Sequence, residues 1–200
     1  MNVPKHIQRV IDALSTLPSV GPRQATRLVF HLINQGKQGV RELAERIRDL
    51  ERIKICGRCF FIHEEAGVLC SICRDPKRSR TVIALVEKET DLLSLERTKK
   101  FAGTYLILGP IAKTGLLHEW QKLRVANLKH TIAKEAGGKA EEIILALNPT
   151  ASGEFYASML AKELAPFAKK LTRLGRGIPT GGEIEFADEE TLGSALVERR

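Results

Sequence analysis

The chain has 200 residues, 43% of them hydrophobic, which suits one large domain or two to three small ones. It has no apolar run long enough to span a membrane and no apolar signal-peptide core at its N-terminus, so we expect a cytoplasmic protein. Residues 1–80 hold 15 Lys and Arg against 8 Asp and Glu, whereas residues 81–200 hold 17 against 16. Such a basic region is typical of proteins that bind a polyanion, although a solvated basic surface is the simpler alternative.

The first 53 residues are predicted to be helical, because apolar residues recur there at helical spacing in three segments. The first segment contains Ile7, Val10, Ile11 and Leu14, the second contains Leu28, Val29, Leu32 and Ile33, and the third contains Leu43, Ile47 and Leu50. A short turn joins the first two segments, so we predict a helical hairpin followed by a third helix.

The turn of this hairpin has features that suit a nucleic-acid backbone. Gly21 allows a conformation or a close approach that a Cβ atom would hinder, and Pro22 fits the first position of a helix. Free N–H groups at that helix start suit a phosphate, and Arg23 and Arg27 lie four residues apart on one face. We therefore predict Gly21, Arg23 and Arg27 as DNA-binding residues that contact the backbone without reading sequence. The turn resembles the helix-hairpin-helix motif, with Ser19 where that motif often has its first glycine, and an ordinary helical hairpin is the alternative.

All four cysteines of the chain lie in two Cys-x2-Cys pairs, Cys56 with Cys59 and Cys70 with Cys73. Two such knuckles can present four thiolates to one tetrahedral ion, which predicts a structural Zn²⁺ site with no open coordination position. Disulfides are the less favoured alternative in a cytosolic chain, and iron would accept the same four sulfurs. His63 lies between the pairs, but the four cysteines already complete the ligand set.

From residue 81 onward, short apolar runs alternate with helical patterns. The apolar runs are residues 81–86, 105–108 and 143–147, and the helical patterns lie near residues 91–98, 117–134 and 151–164. This alternation favours a parallel α/β sheet with right-handed crossovers. A Gly/Pro-rich loop at residues 175–182 follows, and we predict a last short helix after Asp188.

The order of these modules resembles the bacterial recombination mediator RecR family over essentially the whole chain. The most specific stretches are residues 17–22, the four cysteines, and residues 85–87, 148–150 and 177–183. The resemblance implies an α/β (multi-module α+β) fold with four regions. These are a helix-hairpin-helix DNA-binding region at 1–53, a four-Cys zinc finger at 54–79, a Toprim-like parallel α/β domain at 80–176, and a C-terminal loop-and-helix assembly segment at 177–200.

The Toprim domain implied by this resemblance lacks most of the usual metal ligands. Active Toprim enzymes hold Mg²⁺ with a glutamate after the first strand and an Asp-x-Asp pair after the third. Glu87 fills the first position, but residues 148–150 read Asn-Pro-Thr, and no aspartate occurs between Asp91 and Asp188. One glutamate binds Mg²⁺ poorly, and the only two tyrosines fall on a predicted buried strand and a predicted helix. We therefore predict no catalytic residues and no enzyme activity, with a Mg²⁺-dependent nuclease or primase-like enzyme as the alternative.

The resemblance further implies a protein of DNA repair and recombination that helps to load recombinase onto gapped DNA at the bacterial nucleoid. It implies Glu87, Asp91 and Glu154 as an acidic surface for the partner RecO, with RecF as a second candidate partner. Glu87 and Asp91 have a simpler explanation as helix N-terminal carboxylates. The resemblance also implies a homotetrameric ring around DNA, in which weak contacts add up. A zinc-ribbon scaffold that binds only proteins is the remaining alternative.

Three aromatic side chains allow a second DNA contact to be considered. Trp120 and the pair Phe60 and Phe61 could stack on bases, but aromatics make up only 5% of the chain and no basic stripe is interleaved with them. Packing in the core or around the cysteine loop is therefore the favoured interpretation.

Overall fold

The computed structural model describes residues 3–197 and 199 and contains two compact units, one ending at Ile53 and one beginning at Lys54. The first unit has three helices, α1 (Lys5–Ser15), α2 (Pro22–Asn34) and α3 (Gly36–Asp49), followed by a 3₁₀ turn at Leu50–Arg52. Its core is small, with Ile11, Ala25 and Val29 as its buried members. The predicted helical hairpin and third helix are therefore confirmed.

The first unit leaves many large apolar side chains exposed. In α3, every residue of which is described, none is buried. Four exposed apolar residues recur on one face of α3 and of the turn after it, and we call them the α3 stripe: Val40, Leu43, Ile47 and Leu50. Their exposed fractions range from 38% to 66%. An apolar stripe of this kind normally faces a core, but in the first unit it is exposed.

The second unit begins with the cysteine module, which contains little regular structure. Strand β1 (Lys54–Ile55) pairs antiparallel with β2 (Ile62–His63), and the first cysteine pair lies in the turn between them. The second pair lies at the one-turn helix α4 (Ser71–Arg74), with Cys70 at its N-cap and Cys73 inside it. The hairpin and the helix turn thereby present the two knuckles.

A four-stranded parallel sheet with the order β4–β3–β5–β6 forms the rest of this unit. Its elements in chain order are β3 (Val82–Val86), α5 (Glu89–Arg97), β4 (Thr104–Ile107), α6 (Glu119–Glu135), β5 (Ala140–Ala146), α7 (Ala151–Leu164) and β6 (Ala168–Arg173). The sheet confirms the predicted parallel α/β domain. Because the order reverses at β3, the crossovers place helices on both faces of the sheet.

Different elements pack against the two faces of the sheet. On one face, Ile83, Leu85 and Leu106 belong to a core cluster with apolar residues of α6 and α7. On the other face, Ala84 and Ile107 belong to a second cluster with Leu92 of α5 and all four cysteines. Strand side chains alternate between faces, so the cysteine module takes the place that a second helix would occupy.

Strand β6 was not predicted from the sequence. It forms the edge of the sheet beside β5, and Lys169 and Lys170 on it are exposed. Charged residues are common on edge strands because they discourage pairing with other chains, and they interrupt the apolar run that identifies a buried strand. After β6, a segment without helix or strand leads to a 3₁₀ turn at Ile184–Phe186 and to α8 (Glu189–Val197), which confirms the predicted loop and last helix.

Among the helices in the described part of the chain, none combines the length and the apolar character needed to cross a membrane.

Candidate nucleic-acid interface and metal centre

The turn between α1 and α2 adopts a left-handed backbone at Ser19, not at Gly21. Ser19 has φ +65°, whereas Gly21 is extended, with φ −79° and ψ 168°. A Cβ atom built on Gly21 would meet nothing within 4 Å. Gly21 therefore does not adopt a conformation closed to other residues, and the close approach also expected of it stays a prediction. The left-handed conformation occurs instead at Ser19, the position where the helix-hairpin-helix motif often has a glycine.

The start of α2 is open to an anion. Gly21 is the N-cap and Pro22 the first helical residue, as expected, and no side chain caps this end. Arg23 and Arg27 are both exposed. Neither forms an ion pair with any of the residues that the structure describes. The hairpin thus presents free N–H groups and two guanidinium groups without internal counter-charges.

The four cysteines meet at one buried point. Their sulfur atoms all lie within 4.8 Å of one another, and each cysteine is at most 1% exposed. The Sγ atoms of Cys59 and Cys70 are 3.5 Å apart. A tetrahedral ion with Zn–S bonds of about 2.3 Å would separate its sulfurs by about 3.8 Å. The cluster could therefore hold one metal ion, and His63 is not a member of it.

Backbone amides and neighbouring thiols form hydrogen bonds with the sulfurs of the cluster. The backbone N–H of Cys70 donates to Cys56 Sγ at 3.4 Å, and that of Phe61 donates to Cys59 Sγ at 3.5 Å. Hydrogen bonding by the other thiols, first by Cys59, lowers the pKa of Cys56. The hydrogen bond with Cys56 is likewise the largest cause of a raised pKa at Cys59. A cation among the sulfurs would displace the thiol protons, since the metal-binding form of cysteine is the thiolate.

Glu87 lies at the carboxyl end of β3 and is only 6% exposed. Its carboxylate accepts a hydrogen bond from Asn148 Nδ2 at 3.0 Å and one from the Ile111 N–H at 3.4 Å, and Lys88 Nζ is 3.6 Å away. The residue after the third predicted strand thus presents an amide donor to Glu87, where an active Toprim enzyme would present carboxylates. Asn148 holds Glu87 in place, a role that its spacing in the sequence did not reveal.

The other two predicted partner-binding carboxylates also have internal partners. Asp91 caps α5 by accepting a hydrogen bond from the Lys88 N–H at 3.0 Å, as the helix N-terminal alternative describes. Glu154 pairs with Arg173, at 2.8 Å from its Nη2, and with Arg176. The Arg173 guanidinium holds the pKa of Glu154 below its usual range. Neither arginine was predicted from the sequence, because the pairs join the start of α7 to residues about twenty positions later in the chain.

Both tyrosines are buried and hydrogen-bonded. Tyr156 is fully buried and donates to the Leu116 carbonyl at 2.8 Å. Tyr105 is 2% exposed and donates to Glu96 at 2.6 Å, and burial raises its pKa. Glu96 also pairs with Arg78, whose Nη1 donates to it at 2.9 Å. Neither phenol is placed to act as a nucleophile toward a bound molecule.

The aromatic residues of the cysteine loop are packing residues. Phe60 and Phe61 are half-buried against the core clusters of the second unit. Trp120 is 41% exposed. The guanidinium of Arg124 lies 4.7 Å from the centre of the Phe60 ring and 4.9 Å from that of Trp120. The Arg124 guanidinium thus covers one face of each of these two rings.

Comparison with known proteins gives matches along most of the chain. The family model "RecR, helix-hairpin-helix" matches residues 7–50, "Toprim domain" matches 81–175, and "RecR, C-terminal" matches 177–200. Among curated proteins, the chain is 41% identical to "Recombination protein RecR" of Rubrobacter xylanophilus over 197 residues, 98% of this chain and 96% of that protein. It is 42% identical to the protein of the same name from Thermobifida fusca and 40% identical to that from Streptomyces avermitilis, each over 97% of this chain and 96% of the relative.

Proposed function

The chain belongs to the RecR family of recombination proteins, and from that premise we propose that it is a non-catalytic, DNA-binding mediator of recombination in DNA repair. In this proposal it works with RecO, and with RecF as a second candidate, to help load recombinase onto gapped DNA at the bacterial nucleoid. The observation that carries the proposal is the whole-chain similarity to proteins named for recombination, together with the open, basic hairpin at the start of α2.

DNA binding is assigned to Gly21, Arg23 and Arg27 of the hairpin. The two arginines are exposed and lack counter-charges among the described residues, so a phosphate would gain their full attraction. Gly21 has open space where a Cβ atom would be, which lets a backbone phosphate come close to the helix start. Such contacts read the DNA backbone and not the base sequence.

The metal is proposed to be one structural Zn²⁺ held by Cys56, Cys59, Cys70 and Cys73. Four buried sulfurs within 4.8 Å fit a closed tetrahedral site, which leaves no position for a substrate or an activated water. Metal analysis of the purified chain, with iron measured beside zinc, tests the identity of the ion.

The absence of catalysis is supported by the ligand set at the carboxyl ends of the strands. Glu87 is the single acidic residue that matches the metal-binding pattern of Toprim enzymes, and its carboxylate accepts a hydrogen bond from Asn148. Mg²⁺ prefers several hard carboxylate oxygens. Both tyrosines are buried, which removes the nucleophile that a topoisomerase requires.

Partner binding is proposed for the surface around Glu87, Asp91 and Glu154, where the family resemblance implies RecO. Because each of these carboxylates has an internal partner, RecO would have to take over existing contacts, above all those of Arg173 with Glu154. Self-assembly into a ring, a homotetramer in the family resemblance, is supported by the exposed α3 stripe.

The test of this proposal is DNA binding by the purified full-length chain across a salt series, with Mg²⁺ present and the DNA products analysed in the same samples. Affinity that falls steeply with salt while the DNA stays intact supports the mediator. Cleaved or extended DNA would overturn the non-catalytic assignment, and failure to bind DNA at any salt would replace it with a protein-binding scaffold.

A further inference from the structure

The first cysteine knuckle is attached directly to the edge strand of the parallel sheet. The N–H of Ile107, in β4, donates to the Cys59 carbonyl at 2.9 Å. Asn127 Nδ2, in α6, donates to the Gly57 carbonyl at 3.1 Å, and Arg58 pairs with Glu135 at the end of α6. The knuckle therefore binds one backbone N–H of an edge strand, where unpaired groups can otherwise pair with another chain.

Phe60, the residue after the second cysteine of this knuckle, has an unfavourable backbone conformation. Its φ is +64°, in the left-handed region that a bulky side chain rarely adopts and that glycine or asparagine adopts more readily. Strain of this kind persists where the surrounding structure enforces it, and it often marks a function for the side chain. In this protein, the strained position directs the ring onto the guanidinium of Arg124.

Arg124 connects the Phe60 ring to the segment that follows β4. Its Nη1 donates to the Ile107 carbonyl at 2.9 Å, and its guanidinium also lies over Trp120. The Trp120 ring packs on Gly109, which has φ +92°, and a Cβ atom there would lie 2.2 Å from that ring. The segment Leu108–Ile111 is thus held between Trp120 on one side and the β3 end on the other.

The same segment contacts Glu87. The Gly109 N–H donates to the Glu87 carbonyl at 2.8 Å, and the Ile111 N–H reaches its carboxylate at 3.4 Å. A continuous series of contacts therefore runs from Cys59 through Phe60, Arg124 and Trp120 to the carboxyl end of the sheet.

We propose that metal binding at the cysteines positions the segment Leu108–Ile111, and that the stack of Phe60, Arg124 and Trp120 is the contact through which it does so. The metal then acts on the sheet as well as on its own loop. Phe60 and Arg124 are positioning residues. If a partner protein binds at Glu87, that binding then also depends on the metal. This consequence alone rests on the function proposed above.

Trp120 is the only tryptophan of the chain, so its fluorescence reports on the stack directly. The experiment compares acrylamide quenching and emission maximum of the full-length, metal-loaded protein with those of Phe60→Leu and Phe60→Asn, before and after a chelator. Metal content is measured with a colorimetric indicator and secondary structure by circular dichroism. Phe61→Leu is the matched control, because Phe61 follows the same knuckle and, among the described residues, the ring contacts of Arg124 are with Phe60 and Trp120.

We expect chelation to increase quenching of Trp120 and shift its emission to the red in the wild type and in Phe61→Leu. Both Phe60 variants should retain the metal. In their metal-loaded form, Trp120 should already be quenched more strongly than in the wild type, and chelation should change the quenching little further. Phe60→Asn keeps the test valid, because asparagine suits the left-handed backbone and spares the knuckle.

Metal-loaded Phe60 variants with wild-type quenching would overturn the proposal. So would a wild type whose quenching is unchanged after the indicator shows that the metal has left. If chelation unfolds the chain, the metal-loaded variants decide. Because no partner or DNA is present, a failure of the proposed mediator function leaves this result intact.

Discussion

The two compact units differ in how completely each buries its own apolar side chains. The unit that ends at Ile53 has three buried core residues and an exposed α3 stripe. The unit that begins at Lys54 has one cluster of sixteen buried residues and another of ten, of which four are the cysteines. A large exposed apolar face marks a surface used by other molecules. The sheet unit therefore has large cores of its own, although apolar side chains such as Ile184 and Phe186 are exposed on it too, whereas the helical unit buries few apolar side chains among its own three helices.

The largest effect should come from removing a cysteine. Cys70→Ser takes one ligand from a site whose metal contributes about 10–16 kcal/mol in small zinc domains. We expect the amides of β3, β4 and β5 to lose protection in hydrogen exchange, whereas α1 and α2 keep theirs. Equal loss of protection in both units would show that they are not independent. Ser71→Ala, beside the ligand, is the control.

The next effect concerns assembly. Ile47 is 56% exposed in the centre of the α3 stripe, so Ile47→Glu places a charge where we expect a second copy to pack. Sedimentation velocity should show a smaller oligomer, with the sheet unit unchanged in thermal unfolding. Gln38→Glu adds the same charge elsewhere on α3 and should assemble normally. An unchanged oligomer in Ile47→Glu would remove the stripe from the interface.

The third effect concerns the salt dependence of DNA binding, which should weaken with each positive charge removed from the hairpin. Replacing Arg23 and Arg27 together with alanine removes two phosphate contacts per subunit, which should lower the salt slope of the binding constant by about 1.8 per engaged subunit for duplex DNA. The loss should be similar for unrelated sequences. Lys100→Ala with Lys134→Ala removes the same charge from exposed positions of the sheet unit and should leave the slope unchanged. Equal slopes for the two double variants would contradict the assignment.

A smaller effect is expected from the pair of Glu96 with Arg78 and Tyr105 in the sheet unit. Burial alone would raise the pKa of Glu96, but the hydrogen bonds from Arg78 and Tyr105 outweigh it and the pKa is lowered. The folded state therefore binds the proton less readily than the unfolded state, so the stabilisation is present at neutral pH and is lost as the pH falls. Glu96→Gln should lower the free energy of unfolding by about 1–3 kcal/mol at pH 7. Urea unfolding should show this difference shrinking with acid, and a constant difference would exclude the ion pair as its cause.

The smallest effect should come from the hairpin turn. Ser19→Gly removes the cost of a left-handed serine, about 1 kcal/mol, and part of that gain is offset by the freer unfolded chain. We expect the helical unit to gain up to about 0.5 kcal/mol. Ser15→Gly, at the last residue of α1, should instead destabilise it, because the Ser15 hydroxyl donates to the Ile11 carbonyl at 2.7 Å. Thermal unfolding followed by helix content separates the two, and a destabilising Ser19→Gly would show that the serine hydroxyl matters more than the backbone.

Much of the fold could be predicted because its signals are local. Helical spacing predicted α1, α2 and α3, and continuous apolar runs predicted β3, β4 and β5, since these strands are buried on both faces. Strand β6 gives no such run, because Lys169 and Lys170 face solvent at the sheet edge. Its pairing with β5 is a tertiary contact that a local pattern does not contain.

The candidate sites were predictable only as sets of residue types. The four cysteines were found by spacing alone, and their convergence in the structure agrees with that prediction. The attachment of Cys59 to Ile107, and of Glu154 to Arg173, joins residues distant in sequence, so no local pattern reveals it. Gly21 was singled out because glycine allows a backbone conformation that a Cβ atom would hinder, yet the left-handed backbone belongs to Ser19, whose residue type does not indicate it. The roles assigned to Arg23, Arg27, Glu87, Asp91 and Glu154 stay predictions until the variants are measured.

The two partners of the hydrogen bond between Cys59 and Ile107 are synthesised at different times, because the ribosome makes the knuckle before β4. Roughly fifty residues separate the two, so at about 5–20 residues per second the knuckle is synthesised roughly 2–10 s before the strand it covers. The cysteine quartet is complete in the nascent chain before β3 begins. A metal-bound knuckle is therefore already present when β4 is synthesised and can bind that edge of the sheet at once, whereas the other edge, at β3, stays unpaired until β5 is made.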